Sequence, residues 1–431
     1  MQKVANTNLH DAKKNKKDEF YTQLSDIENE LQHYKEHFKD KIVYCNCDDP
    51  LQSAFFEYFF KNFKWLDLKA LITTCYKSQN YREVSTEDSP KKAYAIKIHR
   101  DDVIKDELIN PQKHSIDDVD KVLSSMHPLK DVESVLSLSL SNSQTQSQET
   151  LKAFEANKHK LFENFRAELE SGLPKESTQK SKKSYKEPSL FPLDEDKGLN
   201  NAGDFRSKDC IELLKLADIV VTNPPFSLFR EYVAQLVEYK KKFLIIGNVN
   251  AITYKDTFEL IKDNKLWLGV SITSGDRKFY VPDSTPLNAA GCGVEKVIQN
   301  GKEVERKFIR VKGVRWFSNL THKKRTEILE TIASYTKTPE KYPKYDNYDA
   351  INVDKTIEIP LDYDGVMGVP ITFLDKHNPK QFEIVAKMTT TGIDEFNFGY
   401  PYINGKKIYA RILIRKIAEV DELRKQEQEK M

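Results

Sequence analysis

A chain of 431 residues and 50.0 kDa is about three times the usual domain length, so it can bury a sizeable core, as one large domain with additions or as two domains. Its 39% hydrophobic, 11% aromatic and 31% charged content excludes collagen-like, mucin-like and wholly disordered chains. The net charge of +2 hides an uneven spread: Asp101 to Thr150 holds ten acids against four bases, net −6, and Lys296 to Tyr345 thirteen bases against five acids, net +8. The basic segment is suited to face phosphates.

No apolar run approaches a membrane span and the Lys-rich N-terminus lacks the apolar stretch of a signal peptide, so a cytoplasmic protein is expected. Five cysteines (Cys45, Cys47, Cys75, Cys210, Cys292) are an odd and sparse set that suits reduced thiols. Cys45 and Cys47 flank one residue, but neighbours two apart on a strand share a face without a second Cys or His pair to complete a zinc site, so no metal is expected. With only 15 glycines, a glycine-rich nucleotide loop would be conspicuous, and none is present.

In chain order, Lys41 to Cys47 reads as a strand, followed by Asp48, Asp49 and Pro50, with Asp49 as helix N-cap and Pro50 as first helical residue. Leu51, Phe55, Phe56, Phe59, Phe60 and Phe63 then form an apolar stripe with Glu57 and Lys61 opposite, the pattern of an amphipathic helix. Ala70 to Cys75 is a second strand, and the two strands with their helix make a right-handed parallel crossover. The pattern resumes with a helix from Ser207 to Ala217, a strand from Asp218 to Thr222, a helical stripe through Leu228, Phe229, Tyr232, Val233, Leu236 and Val237, and a strand from Phe243 to Ile246.

Between these halves, about 100 to 200, lie an acidic stretch, a Ser/Gln run and a Lys/Ser-rich run. They read as an insertion carrying one helix, Glu149 to Glu170. After about Asn250 come short β-like runs, such as Leu266 to Ile272 and Lys407 to Ile414, and a charged helical tail from Lys416. The fold class is α/β, a doubly wound sheet.

The most specific feature is Asn223-Pro224-Pro225-Phe226, directly after an apolar strand and before a helix. Ligands of open parallel sheets bind at this carboxyl edge, and consecutive prolines remove donors and fix the preceding carbonyl. The Asn223 side-chain oxygen and a proline carbonyl can accept both hydrogens of an aromatic amine and favour a pyramidal nitrogen, while Phe226 stacks on the ring. The plain alternative is a strand-to-helix turn stiffened by prolines.

The run Asp218 to Tyr232, with Gly203-Asp-Phe-Arg-Ser207 upstream and Asp18-Glu-Phe-Tyr-Thr22 near the N-terminus, resembles the EcoRI-type adenine-specific DNA methyltransferases. The resemblance implies a Rossmann-like S-adenosylmethionine-dependent domain with a C-terminal target-recognition part, acting on double-stranded DNA either in restriction-modification or as an unpartnered phage or bacterial methylase. It assigns Asn223 to Phe226 to the target amine, and Asp204, Phe205 and Phe20 to Thr22 to the cofactor. Taken alone, Asp204 is equally a helix cap or turn residue, and Phe20-Tyr21-Thr22 equally a buried aromatic pair before a helix capped by Thr22. Asp48, Asp49 and Pro50, at the end of the first strand, join the cofactor set through a helix N-terminus or the cofactor's ammonium. Two departures stand out: the first loop has no glycine, and no acid follows the second strand, Cys75-Tyr-Lys77, to bind a ribose.

The expected layout is 1–100 and 201–255 as two halves of the methyltransferase domain, 101–200 as insertion, 256–415 as remaining catalytic strands and target recognition, and 416–431 as tail. Arg306, Lys307, Arg310, Arg315, Lys323, Lys324 and Arg325 are the expected DNA contacts, with Trp316 free to stack or wedge. A solvated charged face is the other reading of that cluster. Cytosine N4, RNA adenine or a protein glutamine present a similar planar amine, and an inactive DNA-binding relative would lack a cofactor. No feature fixes the oligomeric state; a monomer is the simplest arrangement.

Overall fold

The computed structural model describes residues 20–47, 53–76, 93–99, 189–192, 196, 201–281, 283, 285–287, 291–299 and 302–417. Asp48 to Pro50, the helix expected at Glu149 to Glu170, nearly all of the insertion and the tail beyond 417 lie outside these residues. The chain divides into two compact units, Met1–Ile246 with Gly275–Val314, and Gly247–Ser274 with Arg315–Met431. The first unit takes in Gly275–Val314, a stretch grouped from the sequence with the C-terminal part.

The first unit is built on β2 (Ile42–Cys45), β3 (Ala70–Cys75), β4 (Tyr94–His99), β5 (Ser189–Pro192), β6 (Ile219–Thr222) and β7 (Lys242–Asn248). Their order is β5-β4-β3-β2-β6-β7. The pairs β2/β3, β2/β6 and β6/β7 are parallel, and β4 and β5 add antiparallel strands at the outer edge. Continuous burial along β3 and β6 is what a sheet covered on both faces requires.

Helix α3 (Ala54–Lys61), after α1 (Leu24–Leu31) and α2 (Lys35–Phe38), connects β2 to β3. Ser53 caps it, its hydroxyl accepting from the amides of Phe55 (3.2 Å) and Phe56 (3.4 Å), so the described helix begins later than the Asp49-Pro50 signal. Phe55, Phe56, Phe59, Phe60 and Phe63 are all buried, each worth about 1.5–3 kcal/mol on removal from water. Lys61, expected on the polar side, is also buried and pairs with Glu57 at 2.5 Å. Helices α4 (Lys208–Leu216) and α5 (Phe229–Glu238) flank β6, and Ser207 caps α4.

A second sheet of this unit runs β1-β9-β11-β10, from β1 (Tyr21–Thr22), β9 (Asp276–Tyr280), β10 (Gly293–Gln299) and β11 (Lys302–Lys312). Its antiparallel register sets Tyr21 opposite Tyr280 and Thr22 opposite Phe279. Thr22 is therefore a strand residue, and α1 has Gln23 at its cap.

The second unit holds α6 (Lys255–Lys262), β8 (Trp267–Leu268), β12 (Val314–Ser318) and a sheet of β13 (Ile351–Asn352), β14 (Met367–Pro370), β15 (Phe382–Met388), β16 (Ile393–Asp394), β17 (Asn397–Phe398) and β20 (Arg411–Lys416). The hairpin β18 (Tyr402–Ile403) to β19 (Lys406–Lys407) stands apart from that sheet. No helix among the described residues is long and apolar enough to cross a membrane.

Candidate active site

Three chain exits meet at the carboxyl edge of the central sheet. Beyond β2, Asn46 is buried and Cys47 takes φ 72°, the left-handed conformation glycine would supply at no steric cost. The Thr222 hydroxyl at the end of β6 donates to the Asn46 carbonyl, and the Tyr232 hydroxyl from α5 donates to Asn46 Oδ1. Burial holds the Tyr232 phenol well above its ordinary pKa, so it serves as a fixed donor.

Beyond β3, Gly203 with φ 75° lies against the Cys75 carbonyl, where a Cβ would overlap the oxygen. This approach carries Asp204, Phe205 and Arg206 to the sheet edge. The Phe205 ring meets Tyr232 edge-on at 5.0 Å, and its carbonyl accepts from Gln235 Nε2 at 3.1 Å. The Asp204 carboxylate accepts from the Arg206 guanidinium at 2.7 and 2.8 Å, and Arg206 reaches Glu231 on α5 at 3.3 Å. Asp204 also accepts the Arg206 amide at 2.9 Å, so it shapes its own turn; the helix cap is Ser207.

At the end of β6, Asn223 is buried, and its Nδ2 donates to the Phe20 carbonyl at 2.6 Å. That bond uses the amide's donor side. Its oxygen, Oδ1, is buried without a hydrogen-bond partner among the described residues. An unpaired buried amide oxygen costs about 1–3 kcal/mol and calls for a ligand donor. The Pro225 carbonyl accepts from Leu228 at 3.0 Å, so Pro224 supplies the remaining proline carbonyl. Phe226 lies edge-on to Phe20 at 5.5 Å and to Phe279 at 6.3 Å. Thr22 Oγ1, on the adjoining strand, is likewise buried and unpartnered among the described residues.

The structure thus brings Phe20, Tyr21, Thr22, Asp204, Phe205 and Asn223 to Phe226 together within one unit. Asn46, Tyr232 and Phe279 were not singled out from the sequence as site residues. Tyr232 reads there as part of an apolar stripe, and Phe279 reaches the site only through the long-range pairing of β1 with β9.

The basic segment is divided between the units, and its side chains have different fates. Arg306 is half-buried with its guanidinium 4.6 Å from the Tyr280 ring and 5.8 Å from that of Tyr21. The Lys307 ammonium donates to the carbonyls of Asp283 and Thr285, and Arg310 pairs with Asp276 at 3.0 Å while staying exposed. Arg315 is buried, donating to the Thr273 carbonyl and lying 3.7 Å from Asp375. Arg325 is buried over the Trp267 ring at 4.3 Å, donates to Asn264 at 3.0 Å, and is pushed down to about 10 by desolvation. Arg315 and Arg325 are thus interior cations rather than outward phosphate contacts, and Trp316, almost wholly buried, is core rather than wedge. Lys324 donates to the Val270 carbonyl at 2.9 Å, and Lys323 is exposed.

One sheet edge of an α/β unit thus gathers a buried amide oxygen without a partner among the described residues, a proline carbonyl and the rings of Phe20, Phe226 and Phe279. The family model of adenine-specific methyltransferase EcoRI matches residues 8–417. The chain is 41% identical to the Type II methyltransferase M.EcoRI of Escherichia coli, over 96% of this chain and 97% of the relative. It is 30% identical to the Type II methyltransferases M.MgeORF184P of Mycoplasma genitalium and M.MpnI of Mycoplasma pneumoniae, each over 94% of this chain and 97% and 96% of theirs. The chain belongs to the EcoRI family of adenine-specific methyltransferases, and its activity is site-specific methylation of DNA adenine. No solved structure matches it significantly.

Proposed function

We propose that the chain transfers the methyl group of S-adenosylmethionine to N6 of adenine within a specific double-stranded sequence, using a doubly wound Rossmann-like domain and a C-terminal target-recognition part. The observation that carries the reading is Asn223, whose amide nitrogen is tied to the Phe20 carbonyl while its oxygen is buried and unpaired among the described residues. Asn223 Oδ1 and the Pro224 carbonyl accept the two amine hydrogens. The nitrogen lone pair is thereby withdrawn from the ring and directed outward. So held, the amine would accept an electrophilic methyl whose bond to the donor's sulfonium sulfur breaks with its electron pair left on sulfur, and the surplus proton would then leave the methylated nitrogen for water, so no strong base is needed. Phe226 stacks on an adenine drawn out of the duplex, offsetting an unstacking cost of a few kcal/mol.

The residues present fit the methyl donor: Thr22 Oγ1 is a buried hydroxyl with no partner among the described residues, and Gly203 gives the Asp204-Phe205 segment its close approach. Thr22, Phe20, Tyr21, Asp204 and Phe205 are proposed to hold it; Asp48, Asp49 and Pro50, assigned to the cofactor from the sequence, lie outside the described residues. When bound, S-adenosylmethionine supplies an electrophilic methyl group; the protein's part is positioning and charge placement. Single-turnover methylation of target DNA tests this. Asn223→Ala is expected to lower the rate by about 10²–10³-fold, as for loss of one fixed polar group at a reacting centre, with cofactor affinity nearly intact. An unchanged rate would refute the role of Asn223.

A further inference from the structure

The hairpin of β18 and β19 forms a two-stranded sheet of its own in the second unit. Its strands are two residues each, joined by Asn404 and Gly405 at φ 50° and 73°, the left-handed pair of a tight hairpin turn. A lone two-stranded ribbon this short does not hold itself together in water. Here it is pinned. The Asp346 carboxylate accepts the amides of Asn404 (3.0 Å) and Gly405 (2.7 Å), and the Asp346 amide donates to the Tyr402 carbonyl at 2.9 Å. Asn347 Nδ2 donates to the carbonyls of Phe398 (3.2 Å) and Tyr400 (3.1 Å) just before the ribbon.

The chain leaving the hairpin is fixed as firmly. Buried Arg411 donates to the carbonyls of Tyr409 and Ala410 at 3.3 Å, and to Asn352 Oδ1 at 3.0 Å, an atom that also accepts from the Tyr345 hydroxyl at 2.9 Å. On this fixed backbone Tyr409 is 86% exposed, and Lys406 and Lys407 are exposed, the Lys407 ammonium lying over the Tyr400 ring at 3.0 Å. From Asn397 to Ile417 the sequence has five bases and no acid; Arg411, Arg415 and Lys416 pair with Asp354 (3.3 Å), Glu383 (3.1 Å) and Asp364 (3.8 Å), and Lys406 and Lys407 are the two on the hairpin. An exposed tyrosine ring on a backbone tied down by a buried network, next to a pair of exposed lysines, has the chemistry of a surface for a polyanion with stacked rings.

We propose that this hairpin, through Lys406, Lys407 and Tyr409, is a DNA-contacting element of the second unit: the lysines neutralise phosphates and the tyrosine ring packs on a base or sugar. The proposal rests on the DNA-methylating activity and adds a surface outside the basic segment at 296–345. It predicts two separable signatures. Replacing both lysines should flatten the log–log salt dependence of duplex binding, by about 0.9 for each lost phosphate contact. Tyr409→Ala should weaken binding roughly tenfold at constant slope, as for loss of one aromatic contact to a base, and Tyr409→Phe should restore it.

The test uses full-length protein and a short mixed-sequence duplex titrated at several salt concentrations, with circular dichroism and cofactor calorimetry on each variant. A flattened slope for K406A/K407A and weakened binding for Y409A, with folding and cofactor binding unchanged, support the proposal. Wild-type slope and affinity in both variants overturn it and leave the activity untouched. A wild-type protein that binds no duplex overturns both. Equal loss in Y409A and Y409F also counts against it, because the ring alone is assigned the contact.

Discussion

Asn223 offers an amide with two ends, and the fold uses one of them. The Phe20 carbonyl sets the orientation, so the unpaired oxygen is a consequence of where β1 lies rather than of the motif alone. Gly203 works by a different route, because it must be small and must adopt φ 75°. Gly203→Ala brings a Cβ onto the Cys75 carbonyl and strains the left-handed backbone, so a stability loss of about 1–3 kcal/mol is expected. The strap that carries Asp204 and Phe205 has to shift, and cofactor affinity should fall with it. Urea unfolding and calorimetry check both, and a variant with wild-type midpoint and affinity would show that the close approach is not needed.

At the scale of elements, local pattern made some pieces plain and concealed others. The stripe from Phe55 to Phe63, the strand Ala70–Cys75 and the strand ending at Thr222 are readable because their periodicity is set by burial against one sheet. The sheet that supplies Phe279 is not readable in that way. Its strand begins Asp276-Arg277-Lys278, and its partner β1 is two residues long and more than 250 residues away in sequence. The expected strand Leu266 to Ile272 shortens to Trp267–Leu268, with the Gly269 amide still donating to the Trp316 carbonyl at 2.9 Å. Charge misleads in the basic segment, since Arg315 and Arg325 look like surface residues until their carbonyl, amide and indole partners are seen. A pH effect belongs to the turn Ile371–Lys376 and His377 after it. Burial pushes His377 down from 6.5 to about 4, with its ring Nε2 2.8 Å from the Phe382 carbonyl. Between those values the unfolded chain binds a proton that the folded chain refuses, so this stabilisation is complete above pH 6.5 and is lost as pH falls toward 4. The full loss is about 3 kcal/mol. Asp375, raised by burial to about 6, acts in the opposite sense, because the folded chain retains a proton that the unfolded chain releases. His377→Gln should therefore reduce the acid-side loss while leaving the Asp375 effect, which unfolding at about pH 5 and pH 7.5 resolves. An identical pH dependence in the variant would exclude His377 as its source.

Over the whole molecule, both units draw on separated stretches of chain. β5 (Ser189–Pro192) falls within the stretch expected as an insertion, 101–200, yet pairs with β4, with Lys97 opposite Ser189, so only the chain between His99 and Ser189 links the two strands. A deletion that spares both strands, removing about 101 to 187 and closing them with a short turn, is expected to keep methyl transfer, and an inactive but folded variant would refute this. The basic segment gives the last test, since exposure and burial now separate residues that the sequence grouped together. Lys323 is exposed, whereas Arg325 lies over Trp267 and bonds Asn264. If Lys323 meets a phosphate, Lys323→Ala should flatten the salt dependence of duplex binding by about 0.9 and weaken specific and nonspecific complexes alike. Arg325→Ala should instead lower the unfolding midpoint, because the indole face and the Asn264 amide lose their partner, and the salt slope of the folded fraction should stay at its wild-type value. A reversed pattern, with slope lost in the Arg325 variant and stability lost in the Lys323 variant, would mean that the second unit turns this turn outward when it meets DNA.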